Sequence, residues 1–184
     1  VIEAEPYNIL KVKLGTPKDD KKIIKEIRKF TDKIIRVDAN EGWDFDKAIE
    51  MYKKALSINP DYAEAYNNMG VAHKEQGKYE YANICYQKAI SIRPDYVEGY
   101  LNLGLSFQKQ EKHEDAIMSF NRALLINPNY AEAYSYLGAS LLGINKFDDA
   151  IDACEKSISL KSDCVGAYVN IGNVFFETGM LDEA

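Results

Sequence analysis

The sequence predicts an all-α fold: a right-handed superhelical solenoid of antiparallel helix pairs. One phrase occurs three times with small changes, as INPDYAEAYNNMG, IRPDYVEGYLNLG and INPNYAEAYSYLG. The prolines of these phrases, Pro60, Pro94 and Pro128, are separated by a constant 34 residues. Between the phrases, apolar residues recur every three or four positions, which is typical of helices. A fixed period of this size indicates repeats that bury their apolar faces only against their neighbours.

Several columns of small or aromatic residues keep the same period. A glycine column lies in the middle of the first predicted helix of each unit, where glycine costs about 1 kcal/mol relative to alanine. Its presence therefore predicts that two helices approach closely there. The second predicted helix carries an alanine column and an aromatic column. The members of the three columns are Gly70, Gly104, Gly138, Gly172; Ala48, Ala82, Ala116, Ala150, Ala184; and Tyr52, Tyr86, Phe120, Cys154.

The recurrent phrase contains the joint between units. Proline cannot continue a helix, and it also restricts the residue before it, so each Asn-Pro or Arg-Pro step ends the preceding helix. The next residue is acidic or amidic, and a glutamate follows three positions later. This pattern resembles a capping box and predicts N-caps at Asp61, Asp95 and Asn129.

These columns resemble the tetratricopeptide repeat, a 34-residue helix–turn–helix unit with aromatic–x2–Leu–Gly in its first helix. Here the pattern reads YNNMG, YLNLG and YSYLG, followed each time by spaced alanines and, in two units, by a proline joint. The resemblance covers residues 44–184. It implies units at about 29–62, 63–96, 97–130 and 131–164, and a partial unit at 165–184.

Residues 1–43 form a divergent N-terminal segment. The first unit lacks the signature in its first helix, because Arg36 stands where glycine is expected and Asp32 where the aromatic residue is expected. Residues 19–38 carry apolar side chains at helical spacing and predict an amphipathic helix that caps the open end of the array. Its apolar face comprises Ile23, Ile27, Phe30, Ile34 and Val37.

Composition argues against several classes of function. The net charge is −6, with +4 on residues 1–36 and −10 on the rest, so an acidic body disfavours nucleic-acid binding. No apolar run is long enough to span a membrane. Three cysteines without a CxxC spacing indicate reduced thiols. We therefore expect a cytoplasmic protein without metal or cofactor.

Catalytic groups are not assembled by the pattern. His73 and His113 fall in packing columns, and the glycines recur with the period instead of forming a phosphate-binding loop. No Cys–His or Ser–His–Asp set can be built without disrupting those columns. The sequence predicts that this chain is not an enzyme.

The resemblance implies that the first helices line a concave groove that holds a peptide or a partner helix. The candidate binding residues are the first-helix positions outside the packing columns. They are Asn67, Asn68, Val71, Lys74, Leu101, Asn102, Leu105, Gln108, Lys109, Tyr136, Asn170 and Asn173.

Asn68, Asn102 and Asn170 share one column, which Tyr136 interrupts. Amides there could grip a peptide backbone, since each can donate and accept, or they could be solvated polar positions; both interpretations stay open. The column is similar to that in the repeat region of O-linked N-acetylglucosamine transferases. The co-chaperone clamp for a terminal carboxylate is not expected, because its columns carry Val71, Leu101 and Leu105.

The sequence thus favours a protein-interaction scaffold without catalysis. The alternative is the substrate-recruiting N-terminal part of a larger enzyme such as a glycosyltransferase. A third hypothesis is self-association, because the partial last unit is expected to expose apolar surface, namely Ile171, Val174 and Phe175.

Overall fold

The computed structural model describes residues 2–4, 9–14, 34–39 and 45–179. The chain divides into two compact units, residues 1–50 and 51–184. The boundary between them falls within the first helix of the repeat array. The strands and the helices are therefore described separately.

Three strands form a small mixed sheet in the first unit. They are β1 (Ile2–Ala4), β2 (Ile9–Leu14) and β3 (Ile34–Ala39). Strand β2 lies in the middle, antiparallel to β1 and parallel to β3, with Ile9 opposite Ile34 and Leu14 opposite Ala39. A parallel pair needs a crossover of about a dozen residues or more, and residues 15–33 separate the two strands.

The sheet corrects the prediction of a capping helix over residues 19–38. Residues 34–38 lie in β3, and residues 19–33 lie outside the described residues. The physical reason is the run of β-branched residues Ile34, Ile35 and Val37, which favours a strand and pairs along its length with β2. Ile34 and Val37 are three positions apart, which fits a helix and not the two-residue period of a strand, so the composition of this stretch outweighs its period.

Eight helices follow within residues 45–179, and they confirm an all-α solenoid of helix pairs for this part of the chain. The even-numbered helices are the first helices of the repeats, and the odd-numbered ones are the second helices. Each helix from α2 onward packs against the next. The helices are α1 (Phe45–Ile58), α2 (Ala63–Glu75), α3 (Tyr79–Ile92), α4 (Val97–Gln108), α5 (His113–Ile126), α6 (Ala131–Leu142), α7 (Phe147–Leu160) and α8 (Val165–Thr178).

The repeated columns form the core of the array. The alanine and aromatic columns of α3, α5 and α7 have no accessible surface at all. Burial of this kind is the main source of helix stability in a protein. The fully buried set comprises Ala82, Tyr86, Ala89, Ala116, Phe120, Ala123, Ala150, Cys154 and Ser157.

The glycine column marks the closest approach between paired helices. A Cβ added to Gly70 would lie 2.6 Å from Tyr86 Cε1, and one added to Gly104 would lie 2.5 Å from Phe120 Cε1. In the third pair, a Cβ at Gly138 would lie 2.4 Å from the sulfur of Cys154. The predicted close approach is confirmed, and a buried ring or sulfur atom occupies the space that a side chain would need.

The turn inside each unit repeats one backbone conformation. Gly77, Glu111, Asn145 and Gly179 have φ between 57° and 72°, and they are spaced by 34 residues. Glycine adopts this left-handed conformation without the steric cost that other residues incur. The same turn is therefore formed without steric cost at the two glycines and with a steric cost at Glu111 and Asn145.

The joints differ from the prediction of N-caps at Asp61 and Asn129. Helix α2 begins at Ala63, with Tyr62 as its N-cap and no side-chain cap. The Asp61 backbone N–H donates instead to Asn59 Oδ1 over 3.2 Å, and Asn129 N–H donates to Asn127 Oδ1 in the same way. The asparagine before proline thus accepts the turn hydrogen bond, and the helix starts one residue later than expected.

The expected N-cap at Asp95 is also wrong, since Tyr96 is the N-cap of α4 and makes no side-chain cap. The first-turn glutamates have another role in two of the joints. Arg93 donates to Glu64 over 2.7 Å and stacks its guanidinium 3.8 Å from the Tyr96 ring centroid. Two units later, Lys161 donates to Glu132 over the same distance.

We predict that Gly104→Ala and Gly172→Ala change stability in opposite directions. The first forces the buried Phe120 ring to move, which should lower the free energy of unfolding by about 1–2 kcal/mol even after the gain in helix propensity. The methyl group added by Gly172→Ala meets nothing within 4 Å. This variant should therefore raise the free energy of unfolding by about 0.5–1 kcal/mol. Urea unfolding followed by circular dichroism measures both, and equal effects would contradict the close-approach explanation.

Candidate functional site

The twelve candidate binding residues lie on the first helices α2, α4, α6 and α8 or immediately after them. Two of them, Asn67 and Leu101, are buried and belong to the contacts between successive first helices. The other ten are accessible at least in part. We call these ten residues the first-helix surface: Asn68, Val71, Lys74, Asn102, Leu105, Gln108, Lys109, Tyr136, Asn170 and Asn173.

One amide of the asparagine column links α4 to α2. Asn102 Nδ2 donates to Asn67 Oδ1 over 2.9 Å. Asn67 Nδ2 in turn points to Asn68 Oδ1 at 3.4 Å, which is a weak contact. Because Asn67 is buried, its carbonyl oxygen needs this donor. Asn102 therefore has a structural role between two repeats.

The last asparagine of the column makes the equivalent link between α8 and α6. Asn170 Nδ2 donates to the backbone carbonyl of Ser135 over 2.9 Å. The acceptor lies 35 positions upstream, as Asn67 does from Asn102. The same amide column thus joins adjacent first helices at both ends of the array.

Gln108 joins α4 to α6 from a different column. Its Nε2 donates to the Tyr136 backbone carbonyl over 2.9 Å and to Ser140 Oγ over 2.7 Å. Ser140 is fully buried and also donates to the Tyr136 carbonyl. This link compensates for the tyrosine that interrupts the asparagine column. This link could not be predicted from the sequence, because Lys74, Leu142 and Phe176 occupy the same column as Gln108.

These links divide the asparagines of the first-helix surface into two kinds. Asn102 and Asn170 each commit one amide hydrogen to a neighbouring helix, although their side chains stay partly accessible. Asn68 and Asn173 are exposed. The structural interpretation therefore accounts for Asn102 and Asn170, and the asparagines left for a ligand are Asn68 and Asn173.

An open pocket lies where the C-terminal end of α6 meets α8. Its volume is about 570 Å³, and Asn173 is the one candidate residue that lines it. Phe176 is exposed and forms its apolar part. The pocket places two amides, one aromatic ring and one carboxylate around a single space. It is lined by Leu142, Gly143, Asn145, Asn173, Phe176 and Glu177.

Two of the cysteines, Cys85 and Cys154, are held as protonated thiols. Burial raises the pKa of Cys85 to about 11, although Lys53 acts in the opposite direction. Burial also raises the pKa of Cys154, against a hydrogen bond from the Asn170 side chain. All three cysteines are free and buried. Since the thiolate is the nucleophilic form, neither Cys85 nor Cys154 is prepared for catalysis near neutral pH.

Both histidines are packed against other residues. The His73 ring lies 5.6 Å from the Tyr81 ring, measured between centroids. The His113 ring lies beneath Gly143, where an added Cβ would approach within 2.7 Å of its ring atoms. Both contacts agree with the packing columns in which the sequence placed these residues.

Within residues 45–179, no helix is long and apolar enough to cross a membrane. The part of the chain that the structure describes also contains no group of three or more His, Cys, Asp or Glu side chains arranged to hold a metal ion.

Family models match much of the helical array. A model described as TPR repeat matches residues 44–77 and 72–111, and one described as tetratricopeptide repeat matches residues 97–130. A crystal structure of MamA protein is 33% identical, with 76% of each chain covered and a TM-score of 0.69. The chain belongs to the tetratricopeptide repeat family. The predicted family is therefore confirmed.

Other solved structures share the tetratricopeptide repeat fold. Another crystal structure of MamA is 29% identical with a TM-score of 0.71, covering 92% of this chain and 90% of that one. The first TPR of Spaghetti (RPAP3), bound to the HSP90 peptide SRMEEVD, is 24% identical with a TM-score of 0.61. The matched region covers 64% of this chain and 93% of the RPAP3 chain. The RPAP3 likeness shows the fold alone.

Curated relatives share shorter stretches with this tetratricopeptide repeat protein. An L-Ala-D/L-amino acid epimerase from Flavobacterium johnsoniae is 39% identical over 59 residues, which are 32% of this chain. An uncharacterized protein of Methanocaldococcus jannaschii is 41% identical over 46 residues, or 25% of this chain. The matches span only 17% of the epimerase and 52% of the archaeal protein.

We predict that Asn102→Ala lowers the free energy of unfolding by about 1–2 kcal/mol, because it leaves the buried Asn67 oxygen without its donor. Asn68→Ala is the matched control, and should change stability by less than about 0.5 kcal/mol because the residue is exposed. Chemical unfolding of the two variants tests this. Equal stability of both would contradict the structural role of Asn102.

Proposed function

We propose that this tetratricopeptide repeat protein is a scaffold whose first-helix surface binds an extended peptide or a helix of a partner protein. The observation that carries the proposal is the mixed character of this surface over four successive helices. Exposed amides alternate with partly accessible apolar side chains such as Leu105 and Tyr136. The amides can pair with a peptide backbone, and the apolar side chains can bury those of a ligand.

The accessible residues define how a ligand would be held. Asn68 lies at one end of the surface, on α2, and Asn173 lies at the other, on α8 beside the open pocket. An apolar or aromatic side chain of the ligand would fit that pocket against Phe176 and Leu142. The remaining amides are already bonded between helices, so they hold the surface rigid before the ligand arrives, which reduces the entropic cost of binding.

The chemistry of the surface argues against a ligand recognised by its terminal carboxylate. In RPAP3, the same fold is bound to a peptide that ends in EEVD. Here the columns that would supply a carboxylate clamp carry Val71, Leu101 and Leu105, and Leu101 is buried. Lys74 is paired with Glu75 at 3.4 Å. The proposed ligand is therefore an internal segment of a protein, read by its backbone and apolar side chains.

The charge and cysteine content support the expected partner and location. The net charge of −10 on residues 37–184 supports a protein partner over a nucleic acid. Three free thiols support a cytoplasmic location, where thiols stay reduced.

We predict that the double variant Asn68→Ala and Asn173→Ala loses most of its partner capture while its helicity stays unchanged, because both side chains are exposed. Tagged intact chain captures proteins from a lysate, and mass spectrometry quantifies them against the wild type. Asn121→Ala on α5, also an exposed asparagine in a helix, is the matched control and should capture normally.

The peptide SRMEEVD provides a further arm of the same experiment and should not bind measurably to the wild-type chain. Undiminished capture by the double variant would count against the first-helix surface. Tight binding of SRMEEVD would contradict the proposed exclusion of terminal carboxylates.

A second candidate function is substrate recruitment for a larger enzyme. The likeness to an epimerase favours it, as does the parallel pair of β2 and β3, because parallel strands with a crossover are the building units of α/β enzymes. The likeness to the Flavobacterium johnsoniae protein supports an epimerase as that larger enzyme. The glycosyltransferase version stays a prediction that rests on the asparagine column.

An L-alanyl dipeptide distinguishes the two candidates. The scaffold proposal predicts that the 184-residue chain neither binds this dipeptide nor exchanges its α-proton in D2O, because two residues cannot span the first-helix surface. Saturation-transfer and one-dimensional NMR measure binding and exchange. Binding alone would favour the recruitment candidate, and exchange would contradict the absence of catalysis.

A further inference from the structure

The apolar side chains expected to be exposed on the last unit are largely covered. Val174 is buried, and Ile171 and Phe175 are partly buried. Helices α3 and α5, in the middle of the array, do expose large apolar side chains. Ile84 is 62% exposed and Met118 is 61% exposed, and the two residues occupy one column, 34 positions apart. Both helices belong to complete helix pairs, so this exposure is a property of the repeats themselves.

Each of these two side chains belongs to an exposed stripe that also contains a cation. Residues three, four or seven positions apart share one face of a helix. The stripes face away from the first helices, because the buried columns of Ala82 and Ala116 lie on the opposite side of the same helices. We call the two stripes together the second-helix patch: Tyr81, Ile84 and Lys88 on α3, and Met118, Arg122 and Leu125 on α5.

The two cations of the patch have no acidic neighbour on their own helices. An acid three or four positions away is the usual partner of a basic residue in a helix. Neither Lys88 nor Arg122 has one in the sequence, although residues 37–184 carry a net charge of −10. Among the described residues, neither cation makes an ion pair. Both charges are thus available to an acid from outside the chain.

The packing of the second helices leaves a groove between the two stripes. Successive first helices pack against one another, as α2 does with α4 and α4 with α6. Within residues 45–179, no comparable packing joins α3 to α5 or α5 to α7. The helices α3 and α5 run in the same direction, because they are equivalent members of successive repeats. The array therefore opens on the side of the second helices, and the patch forms the two edges of a groove between them.

We propose that the second-helix patch binds an acidic amphipathic helix of another protein. A helix lying along the groove would place apolar side chains, three or four positions apart, against Ile84 and Met118. Its carboxylates would pair with Lys88 and Arg122, and a guanidinium can hold a carboxylate through two parallel hydrogen bonds. Lys156 on α7 continues the cationic column. Because the patch and the first-helix surface lie on different helices, the chain can hold two partners at once.

The distribution of charge favours a protein helix over two other occupants. An anionic membrane surface would attract the cations. It would also meet the exposed Glu80 and Glu114, which lie four positions before Ile84 and Met118 on the same faces, and these acids would be repelled. The N-terminal segment of the chain has the wrong charge for the patch, because residues 1–36 carry a net charge of +4. A helix can place its acids beside the cations alone, so it avoids both conflicts.

Fluorescence anisotropy with three labelled peptides of 14 residues, the length of α3 and α5, tests the proposal on the 184-residue chain. Each peptide is held helical by a side-chain cross-link. The first has leucine at every third or fourth position and glutamates beside that stripe. The second has lysine in place of each glutamate, and the third has the residues of the first in an order that gives no apolar face. Only the first should bind.

Variants of the chain then locate the binding site. Arg122→Glu should weaken binding of the acidic peptide by about tenfold or more, and Met118→Ser should weaken it as well. Lys146→Glu is the matched control, because it reverses an exposed charge outside the patch, and it should bind normally. The double variant Asn68→Ala and Asn173→Ala should also bind this peptide normally, which separates the patch from the first-helix surface.

Several outcomes would overturn the proposal. They are no binding of the acidic peptide, equal binding of the lysine peptide, and an affinity that neither patch variant changes. Co-sedimentation with phosphatidylserine vesicles that Arg122→Glu abolishes would identify a lipid surface as the occupant instead. Self-association in sedimentation velocity that the same variant abolishes would identify a second copy of the chain. If circular dichroism shows that Arg122→Glu is unfolded, Arg122→Gln replaces it, and wild-type affinity of that variant would equally refute the site.

Discussion

In each complete helix pair, a glycine of the first helix lies against a buried ring or sulfur atom of the second, and the rest of the array depends on that contact. Gly70, Gly104 and Gly138 leave no room for a Cβ. The close approach lets the alanines of the second helix reach the first helix and lose all exposure. It also fixes the rotation of each helix, and so decides which side chains remain on the first-helix surface. The cost of glycine in a helix is local, whereas the burial it permits extends along both helices.

The amide links form a second level of organisation. Asn102 and Gln108 on α4 and Asn170 on α8 connect first helices across unit boundaries. In each link a side-chain amide donates a hydrogen bond to a buried acceptor. Breaking the link therefore leaves that acceptor buried without a partner, which costs more than the lost attraction alone. Each unit is therefore coupled to its neighbours, as expected for a solenoid. The same coupling makes the first-helix surface rigid, which is what a peptide-binding surface needs in order to bind without a large ordering cost.

The 34-residue period predicts the positions that pack between helices. It fails at positions where two local structures are compatible with the same residues. The columns at Gly104 and Phe120 recur because every unit solves the same packing problem, and they could be read directly. The joint at Asp61 was misassigned because asparagine and aspartate can both serve such a turn, and the choice of Asn59 depends on backbone geometry. The links from Asn102 and Gln108 could not be foreseen, since they join residues about 30 positions apart through side-chain directions that no column encodes. Strand β3 was missed because the three-residue spacing of Ile34 and Val37 fits a helix, whereas the β-branched composition that favours a strand carries no period.

The third pair differs from the others in what fills its glycine column. Cys154 replaces the rings of Tyr86 and Phe120, and a thiol offers far fewer dispersion contacts than an aromatic ring. The contact at the glycine column is therefore less cohesive in the third pair than in the first two. A repeat array of this kind loosens first where its cohesion is least. Thermal fluctuation would be concentrated in the α6–α7 pair, so the array can adapt its shape beside the open pocket while its first two pairs stay fixed.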